Sequence, residues 1–328
     1  MGCPARGFSL VELMISMLLG LVIIGGATGV ILANRQSYRT NEGLSQIQES
    51  ARTAFELLSR DIRQAGVTGC GNDGRVANVL TPSGPAPWWQ SWFGLRGFDG
   101  SQPDGAVGFG TGVPSNRIEG TDSIQVQGID GPGLSIASHD TGSAAFTLNA
   151  PAGVVAADDI MMVCDFDHAA IFKVTRYDRG AVIYDALPSE SARNCTTDLS
   201  YPSRCDVSGN AYAFGPNAHL GHMMAVSWYV GNNRRPSEGG RSLYRLRMNG
   251  NPEEIVPGVA NMQLRYREAD QSEFHEASSV TSWEDVNAVM INLTLQSTDP
   301  RVATETNVDS ARLQRQFTHI VTLRNRVP

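Results

Sequence analysis

A single uncharged apolar stretch near the N-terminus constrains this chain more than any other feature. It runs from Leu13 to Ala33, twenty-one residues with the sequence LMISMLLGLVIIGGATGVILA, and no other segment of the 328 residues approaches its length. As a helix that rises about 1.5 Å per residue, it would span roughly 30 Å, the hydrocarbon thickness of a bilayer. The stretch is too long for a cleaved secretory signal, and Ile31-Leu32-Ala33 is a poor cleavage site. The sequence therefore predicts one membrane-spanning helix.

One acidic residue lies at the start of this apolar segment. Glu12 directly follows Phe8-Ser9-Leu10-Val11 and precedes the uncharged stretch. An ionisable group in such surroundings costs on the order of 3 kcal/mol unless it has a partner. A plain signal anchor fits the length of the span but gives no account of this carboxylate. We therefore expect Glu12 to meet a cation.

Composition narrows the class of protein further. The chain has 26 basic against 33 acidic residues, so it lacks the basic footprint with which nucleic-acid binders displace counterions. Its mean hydropathy of −0.19 excludes a protein with many membrane spans. The composition indicates a body outside the membrane attached to one span, with no nucleic acid among its partners.

A second helical pattern follows the span, because apolar residues recur there at spacings of three and four. The apolar positions are Leu44, Ile47, Ala51, Ala54, Phe55, Leu58, Ile62 and Ala65. The charged positions of the opposite face are Glu49, Arg52, Glu56, Arg60 and Arg63. Gly66 and Gly69 provide a C-terminal stop, so one helix from Phe8 to Ala65 would be roughly 87 Å long. For Asp61 and Arg63, a solvated helix face and a specific role are both open.

The body begins with a Gly- and Pro-rich region over residues 67–120 that we interpret as irregular. Within it, residues 87–93 (PWWQSWF) fit either a partner- or sugar-binding loop or a set of buried anchors, and we favour the anchors. Short β-type runs follow. They are Ser123–Gln127, Ala145–Leu148, Ile160–Val163, Ala170–Thr175, Ala181–Tyr184, Met223–Val230, Leu243–Arg247, Met262–Arg267, Val286–Leu295 and Phe317–Leu323. With the long helix, they predict an α+β protein built on antiparallel sheet.

The segment Gly7-Phe8-Ser9-Leu10-Val11-Glu12-Leu13 resembles the processing site of type IV prepilins and pseudopilins. The resemblance implies that a prepilin peptidase cuts between Gly7 and Phe8 and that the new N-terminus of Phe8 is methylated. The Phe8 amine would supply the cation that Glu12 lacks, from its own chain or from a neighbouring subunit, and the pair would fix the register of assembly. The implied organisation is a leader (1–7), a transmembrane and filament-core helix (8–33), the amphipathic second half of that helix (34–66) and a β-rich periplasmic head (67–328).

Further stretches narrow the resemblance to one group of minor pilins. Residues 58–66 (LSRDIRQAG), followed by Gly69-Cys70, are similar to the end of the long helix in PilW-type minor pilins. Residues 242–245, 254–264 and 317–326 are similar to the C-terminal half of the same proteins and of the J-type minor pseudopilins of type II secretion. The Ala-Gly and Gly-Cys pairs favour the PilW type, whereas the middle of the chain matches poorly.

Function and location follow from this resemblance as expectations. It implies a structural, non-enzymatic minor pilin in the complex that primes type IV pilus assembly and lies near the pilus tip. The protein would cross the inner membrane once, with its head in the periplasm, and then enter the pilus on the cell surface. Its implied partners are other minor pilins, the major pilin, a tip adhesin, the prepilin peptidase and the assembly platform of the inner membrane.

The cysteines indicate an oxidising compartment. Cys3 would leave with the leader, and the mature chain would hold Cys70, Cys164, Cys195 and Cys205, an even number on a body beyond the membrane. Three pairings are possible. We favour Cys195–Cys205, which would close the polar loop between them, and Cys70–Cys164, which would tie the end of the helix to the sheet. Zinc is the rival interpretation, but no C-x-x-C spacing exists.

A search of the body for reaction chemistry gives weak patterns only. His219 and His222 are three residues apart, and Asp165, Asp167 and His168 are close in sequence. Neither pattern matches an H-E-x-x-H helix or a calcium loop, so no catalytic residue, metal site or cofactor is predicted. The alternative from a different class is a membrane-anchored periplasmic enzyme or ligand-binding module that uses the aromatic loop or the Asp165–His168 cluster.

Overall fold

One continuous helix, α1, forms the N-terminal part of the protein in the computed structural model, which describes residues 9–71, 74–81, 84–111, 115–186, 193–206, 211–300, 302 and 312–326. α1 extends from Leu10 to Arg63, 54 residues, or roughly 81 Å. The predicted start, Phe8, lies outside the described residues, and the helix ends two residues before Ala65 in a turn over residues 64–66. Gly66, the predicted stop, adopts a φ of 72°, and its N–H donates to the Gln127 carbonyl at 2.7 Å.

Sixteen strands follow α1 in the described residues. They are β1 (Val76–Asn78), β2 (Leu80–Thr81), β3 (Leu95–Phe98), β4 (Ser123–Asp140), β5 (Ala145–Leu148), β6 (Ile160–Cys164), β7 (Ala169–Lys173), β8 (Arg176–Asp178), β9 (Ala181–Ile183), β10 (Arg193–Asn194), β11 (His219–Asn232), β12 (Arg241–Arg247), β13 (Glu253–Pro257), β14 (Val259–Glu268), β15 (Val286–Gln296) and β16 (Gln314–Thr322). Each predicted β-type run coincides with one of these strands or lies mostly within it. The six strands without a prediction, β1, β2, β3, β8, β10 and β13, are two to five residues long, too short to show a clear alternation.

The strands form three sheets. The largest has the order β1-β7-β6-β11-β4-β5-β9-β8, with β3 beside β4 and with β12 and β13 beyond β11. A second sheet has the order β14-β15-β16, and β2 pairs with β10. The described pairings are antiparallel except β1 with β7, which is parallel. The predicted α+β class, a long helix with a mostly antiparallel sheet domain, is therefore confirmed.

Two long strands connect the hydrophobic core beneath the helix with a second core. β4 contributes Ile124 and Val126 to the first core and Ile136 to the second. β11 likewise contributes Trp228 to the first and Leu220 to the second. Because both strands run through both cores, the head is organised around shared strands.

Glycines explain why β4 is much longer than its predicted counterpart, Ser123–Gln127. A Cβ at Gly128 would lie 2.5 Å from the Gln64 carbonyl oxygen, so the end of α1 packs directly on the strand backbone. A Cβ at Gly133 would lie 2.6 Å from His219 Nε2. These glycines interrupt the sequence pattern, but in the fold they permit close approaches and do not end the strand.

The tryptophan-rich loop anchors the irregular region on the sheet. Trp89 is buried and Trp88 and Trp92 are half-buried, and all three pack against a cluster that includes Met162. The side-chain amide of Gln127 donates to the carbonyls of residues 89 and 91 at 2.8 and 3.0 Å, which fixes the loop backbone. The interpretation of these Trp side chains as anchors is confirmed.

Two disulfides have the pairing favoured by the sequence. Cys70–Cys164 joins the segment after α1 to the end of β6, across 94 residues of chain. Cys195–Cys205 closes a loop across 10 residues. The first bond therefore ties the helix end to the large sheet, whereas the second has a local effect.

We expect the two disulfides to contribute unequally to stability, because a longer closed loop restricts the unfolded chain more. Removing the long bond with Cys70→Ser and Cys164→Ser should lower the free energy of unfolding by about 4.7 kcal/mol, and removing Cys195–Cys205 in the same way by about 2.7 kcal/mol. Urea titration monitored by Trp fluorescence would measure both losses. Equal losses, or a larger loss for the short bond, would contradict this account.

Candidate assembly segment of the N-terminal helix

The first half of α1 carries a continuous apolar surface that the described head leaves uncovered. Fifteen large apolar side chains between Leu10 and Leu32 are 49–76% exposed. The most apolar window of this helix has a mean hydropathy of 2.3, with none of its residues buried. An exposed apolar surface of this size needs a membrane or a protein partner. Among the described helices, α1 alone is long and apolar enough to cross a bilayer.

Glu12 is the charged residue of this apolar half. Its Oε2 accepts the backbone N–H of Ser9 at 3.4 Å, a contact within the first turn that is longer than an ordinary hydrogen bond. Within the described part of the chain, Glu12 forms no ion pair. Gly7 and Phe8, the predicted cleavage pair, lie outside the described residues. Since Phe8 and Glu12 are four residues apart, a helix that continued to Phe8 would place the two on one face.

Four glycines on this half of the helix have open space around them in the described structure. A Cβ added at Gly20, Gly25, Gly26 or Gly29 would meet nothing within 4 Å. Each glycine weakens a helix by up to about 1 kcal/mol relative to alanine, and nothing in the described chain needs the space. Small residues in apolar helices let neighbouring backbones approach closely. The glycines therefore fit helix–helix contacts made after assembly.

The second half of α1 is fixed to the head along the predicted stripe. The seven apolar positions on α1 are buried or half-buried, as is Ala65 just after it, and the five charged positions on the opposite face are exposed. The helix packs between the two larger sheets, where Leu58 and Ile62 are completely buried with Val126 of β4 and Val289 of β15. The exposed apolar half and the buried half thus belong to one continuous helix.

A loop after β15 extends the attachment toward the apolar half. The carbonyl of Val302 accepts the Thr40 hydroxyl at 3.1 Å and the Gln36 amide at 3.3 Å. At Gly43, an added Cβ would lie 2.9 Å from Val302 Cγ1, so a larger residue would push the loop away. These contacts place the junction between the free and the attached parts of the helix near residue 36.

A buried polar contact fixes the C-terminal end of α1. Asp61 is 6% exposed, and its Oδ2 accepts the indole N–H of Trp228 at 2.9 Å. Arg245 lies 3.8 Å from the same oxygen and stacks over the Trp228 ring. Burial raises the pKa of Asp61, while the Trp228 hydrogen bond and the charge of Arg245 oppose that rise. The solvated face considered for Asp61 is therefore wrong, whereas Arg63 is exposed as that interpretation expects.

Replacing Asp61 should distinguish how much its hydrogen bond and how much its charge contribute to stability. Asp61→Ala leaves the buried Trp228 N–H without an acceptor, and we expect a loss of about 1–3 kcal/mol in the free energy of unfolding. Asp61→Asn keeps an acceptor oxygen, so its loss should be smaller. Glu56→Ala, an exposed acid on the same helix, is the control and should change stability by less than about 0.5 kcal/mol. Urea titration of all three would measure this order, and equal losses for Asp61→Ala and Glu56→Ala would contradict it.

The free energy of unfolding should also depend on pH differently in the unchanged protein and in the Asp61 variants. Because the folded-state pKa of Asp61 is raised, its contribution to stability is complete below the unfolded-state pKa and is lost as the pH rises through the folded-state pKa. Asp61→Asn should flatten this dependence, and unfolding titrations at several pH values would detect the change.

The remaining residues singled out by the sequence do not form a metal site in the described structure. His222 Nε2 lies 3.1 Å from Asp159 Oδ2, whereas His219 faces the segment after α1. His168 bonds to Asp167 through Nδ1 at 2.8 Å. Among the described residues, no group of three or more His, Cys, Asp or Glu side chains is arranged to hold a metal ion.

Comparisons with known proteins identify the N-terminal motif but assign no family to the rest of the chain. Residues 4–28 match the family described as the prokaryotic N-terminal methylation motif. None of the curated proteins matches the chain. Among solved structures, the chain is similar to a type IV-like pilin from Thermus thermophilus, with 9% identity, 53% of this chain and 87% of that chain covered, and a TM-score of 0.19. A TM-score this low establishes no shared fold. The chain thus carries a type IV prepilin-like methylation motif at the start of an exposed apolar helix.

Proposed function

We propose that the protein is a minor pilin of the PilW type, a non-enzymatic subunit of the complex that primes type IV pilus assembly and lies near the pilus tip. One observation carries the proposal. The methylation motif leads into an apolar half-helix that is exposed, and this half continues without a break into a half buried under the head. A helix of this kind can be held in a bilayer and then pack against the helices of other subunits without a change in the head.

The apolar half-helix supports the proposed route through the cell. It is long enough to cross the inner membrane once, and the disulfide-bonded head suits the oxidising periplasm. The organisation proposed from the sequence follows: leader 1–7, membrane and filament-core helix 8–33, amphipathic half 34–66 and head 67–328. The contacts of Val302 with α1 support a boundary close to residue 34.

The assembly step proposed here depends on Glu12. A carboxylate in the apolar core of a filament is costly unless a cation neutralises it, and the described chain offers no ion pair. The proposed partner of Glu12 is the Phe8 amine, which cleavage after Gly7 creates and which is then methylated. It is supplied by the same subunit or by a neighbouring one. Entry into the filament then requires a defined stagger between subunits. The proposed partners are other minor pilins, the major pilin, a tip adhesin, the prepilin peptidase and the assembly platform.

The segment after the helix supports the PilW type over the J-type pseudopilin of type II secretion. The Ala-Gly and Gly-Cys pairs that favour PilW both have structural roles here. Gly66 takes a positive φ next to β4, and Cys70 forms the bond that ties this segment to β6.

A clean deletion tests this proposal, with surface pili and type II exoprotein export scored in the same strain. We expect pili to be lost and export to be intact, and both to be normal once the gene is restored. Lost export with normal pili would overturn the pilus assignment in favour of type II secretion. Normal pili and normal export would instead favour the anchored enzyme or ligand-binding module.

A further inference from the structure

The turn between β6 and β7 holds one aromatic side chain out into solvent. Phe166 is 85% exposed, whereas its polar neighbours are bonded to the head. Asp165 accepts the N–H of Asp167 at 2.9 Å and the hydroxyl of Tyr212 at 2.7 Å. His168 is buried and bonds to Asp167 through one ring nitrogen and to a backbone carbonyl through the other, both at 2.8 Å. The turn is therefore preorganised, and the Phe166 ring is the part left free to bind.

A groove of about 550 Å³ opens beside this ring. One wall is formed by Gly69, by Gly71 and by the Cys70–Cys164 disulfide, and another by residues 215–219 before and at the start of β11. A Cβ at Gly71 would meet no atom of the described residues within 4 Å, so the described chain leaves the backbone there open to a ligand. The volume lies within the range of small-molecule sites. Since residues 69–71 follow the C-terminal end of α1, the groove lies near that end of the helix, away from the apolar N-terminal half.

Three polar side chains on the groove retain hydrogen-bonding capacity. Asn217 accepts the amide of Asn149 through Oδ1 at 3.2 Å, and its own NH₂ group has no partner among the described residues. His219 also lines the groove; its Nδ1 is buried and has no partner in the described chain, so a ligand can reach this ring only through Nε2. Burial lowers the pKa of His219, so the ring is neutral at neutral pH, with one donor and one acceptor nitrogen. The two oxygens of Asp165 already accept from Asp167 and Tyr212, but a carboxylate has about four lone-pair sites, so Asp165 can accept a further hydrogen bond from a ligand.

We propose that this groove binds a neutral saccharide, with a pyranose ring against Phe166 and its hydroxyl groups on Asn217, His219 and Asp165. The face of a pyranose is made of C–H groups and packs well on an exposed aromatic ring. Each sugar hydroxyl donates and accepts, which matches a wall with an amide donor, a neutral imidazole and a carboxylate. The described residues that line the groove include no Arg or Lys, and the carboxylate disfavours an anionic ligand. This binding activity goes beyond the structural role proposed above.

Saccharide titration of the full chain tests this site. The protein is placed in phosphatidylcholine nanodiscs, which contain no sugar headgroup, and titrated with maltose, lactose, cellobiose and N,N′-diacetylchitobiose by ligand-observed NMR. We expect at least one disaccharide to saturate with a dissociation constant at or below about 10 mM. Phe166→Ala should weaken that binding about tenfold, and Phe166→Trp should retain it. Because Phe166 is exposed, its loss should leave the melting temperature unchanged.

Two further variants separate the groove from general effects. Asn217 has a φ of 67°, so Asn217→Gly removes the amide while suiting the backbone, and we expect weaker binding from a folded protein. Tyr38→Ala removes another exposed aromatic, on α1 and away from the groove, and should bind like the unchanged protein. The proposal is overturned if no disaccharide saturates, or if Phe166→Ala binds as tightly as Tyr38→Ala.

Discussion

Glu12→Val should yield a protein that is cleaved and methylated but is absent from filaments. The proposed cleavage site is the Gly7-Phe8 pair, which this change leaves intact. In the filament core, however, the Phe8 amine would be buried without its counterion. At a cost of about 3 kcal/mol for an unpaired charge, incorporation should fall roughly 100-fold. Immunoblots of sheared pili against whole cells would measure the loss.

The matched control is Glu49→Val, another acid-to-valine change on the same helix. Glu49 is exposed on the charged face of the attached half, outside the proposed filament core, so this variant should be incorporated normally. Normal incorporation of Glu12→Val would contradict the proposed pairing. Equal losses of incorporation for both variants would also contradict it, because any acid-to-valine change on the helix would then have the same effect.

Gly7→Val should block removal of the leader. A peptidase that cuts directly after Gly7 must accommodate that residue at the scissile bond, and a branched side chain there obstructs it. The uncut chain lacks the free Phe8 amine, so this variant should also be missing from pili. Immunoblots should show only the longer precursor, while Gly2→Val, a change elsewhere in the leader, should be processed. A fully shortened Gly7→Val protein would contradict the predicted cleavage site.

The periodicity of the sequence predicted the helix and its buried face well. Spacings of three and four depend only on local geometry, and Ile47, Ala51, Ala54, Leu58 and Ile62 are all buried as that pattern requires. The longer strands were also found, since alternation needs only a few residues. The need of Glu12 for a cation followed from its apolar surroundings, whereas cleavage at Gly7 and the Phe8 amine as its partner came from resemblance. All three are still predictions.

Contacts between distant parts of the chain could not be predicted in this way. Asp61 reads as a solvated helical acid until Trp228, 167 residues away, is placed against it. The groove beside Phe166 likewise combines the segment after α1, the β6–β7 turn and the start of β11. One local signal for a buried contact was available at Asp61. This acid lies next to the apolar stripe, and a polar side chain that is buried there needs a hydrogen-bonding partner.

The mass of the N-terminal peptide of the protein, recovered from whole cells and from sheared pili, tests the central claim most directly. The account predicts a chain that begins at N-methylated Phe8, without residues 1–7. A chain that retains Met1, or one cut near Ala33, would contradict it and would favour an anchored or secreted protein outside the pilus machinery.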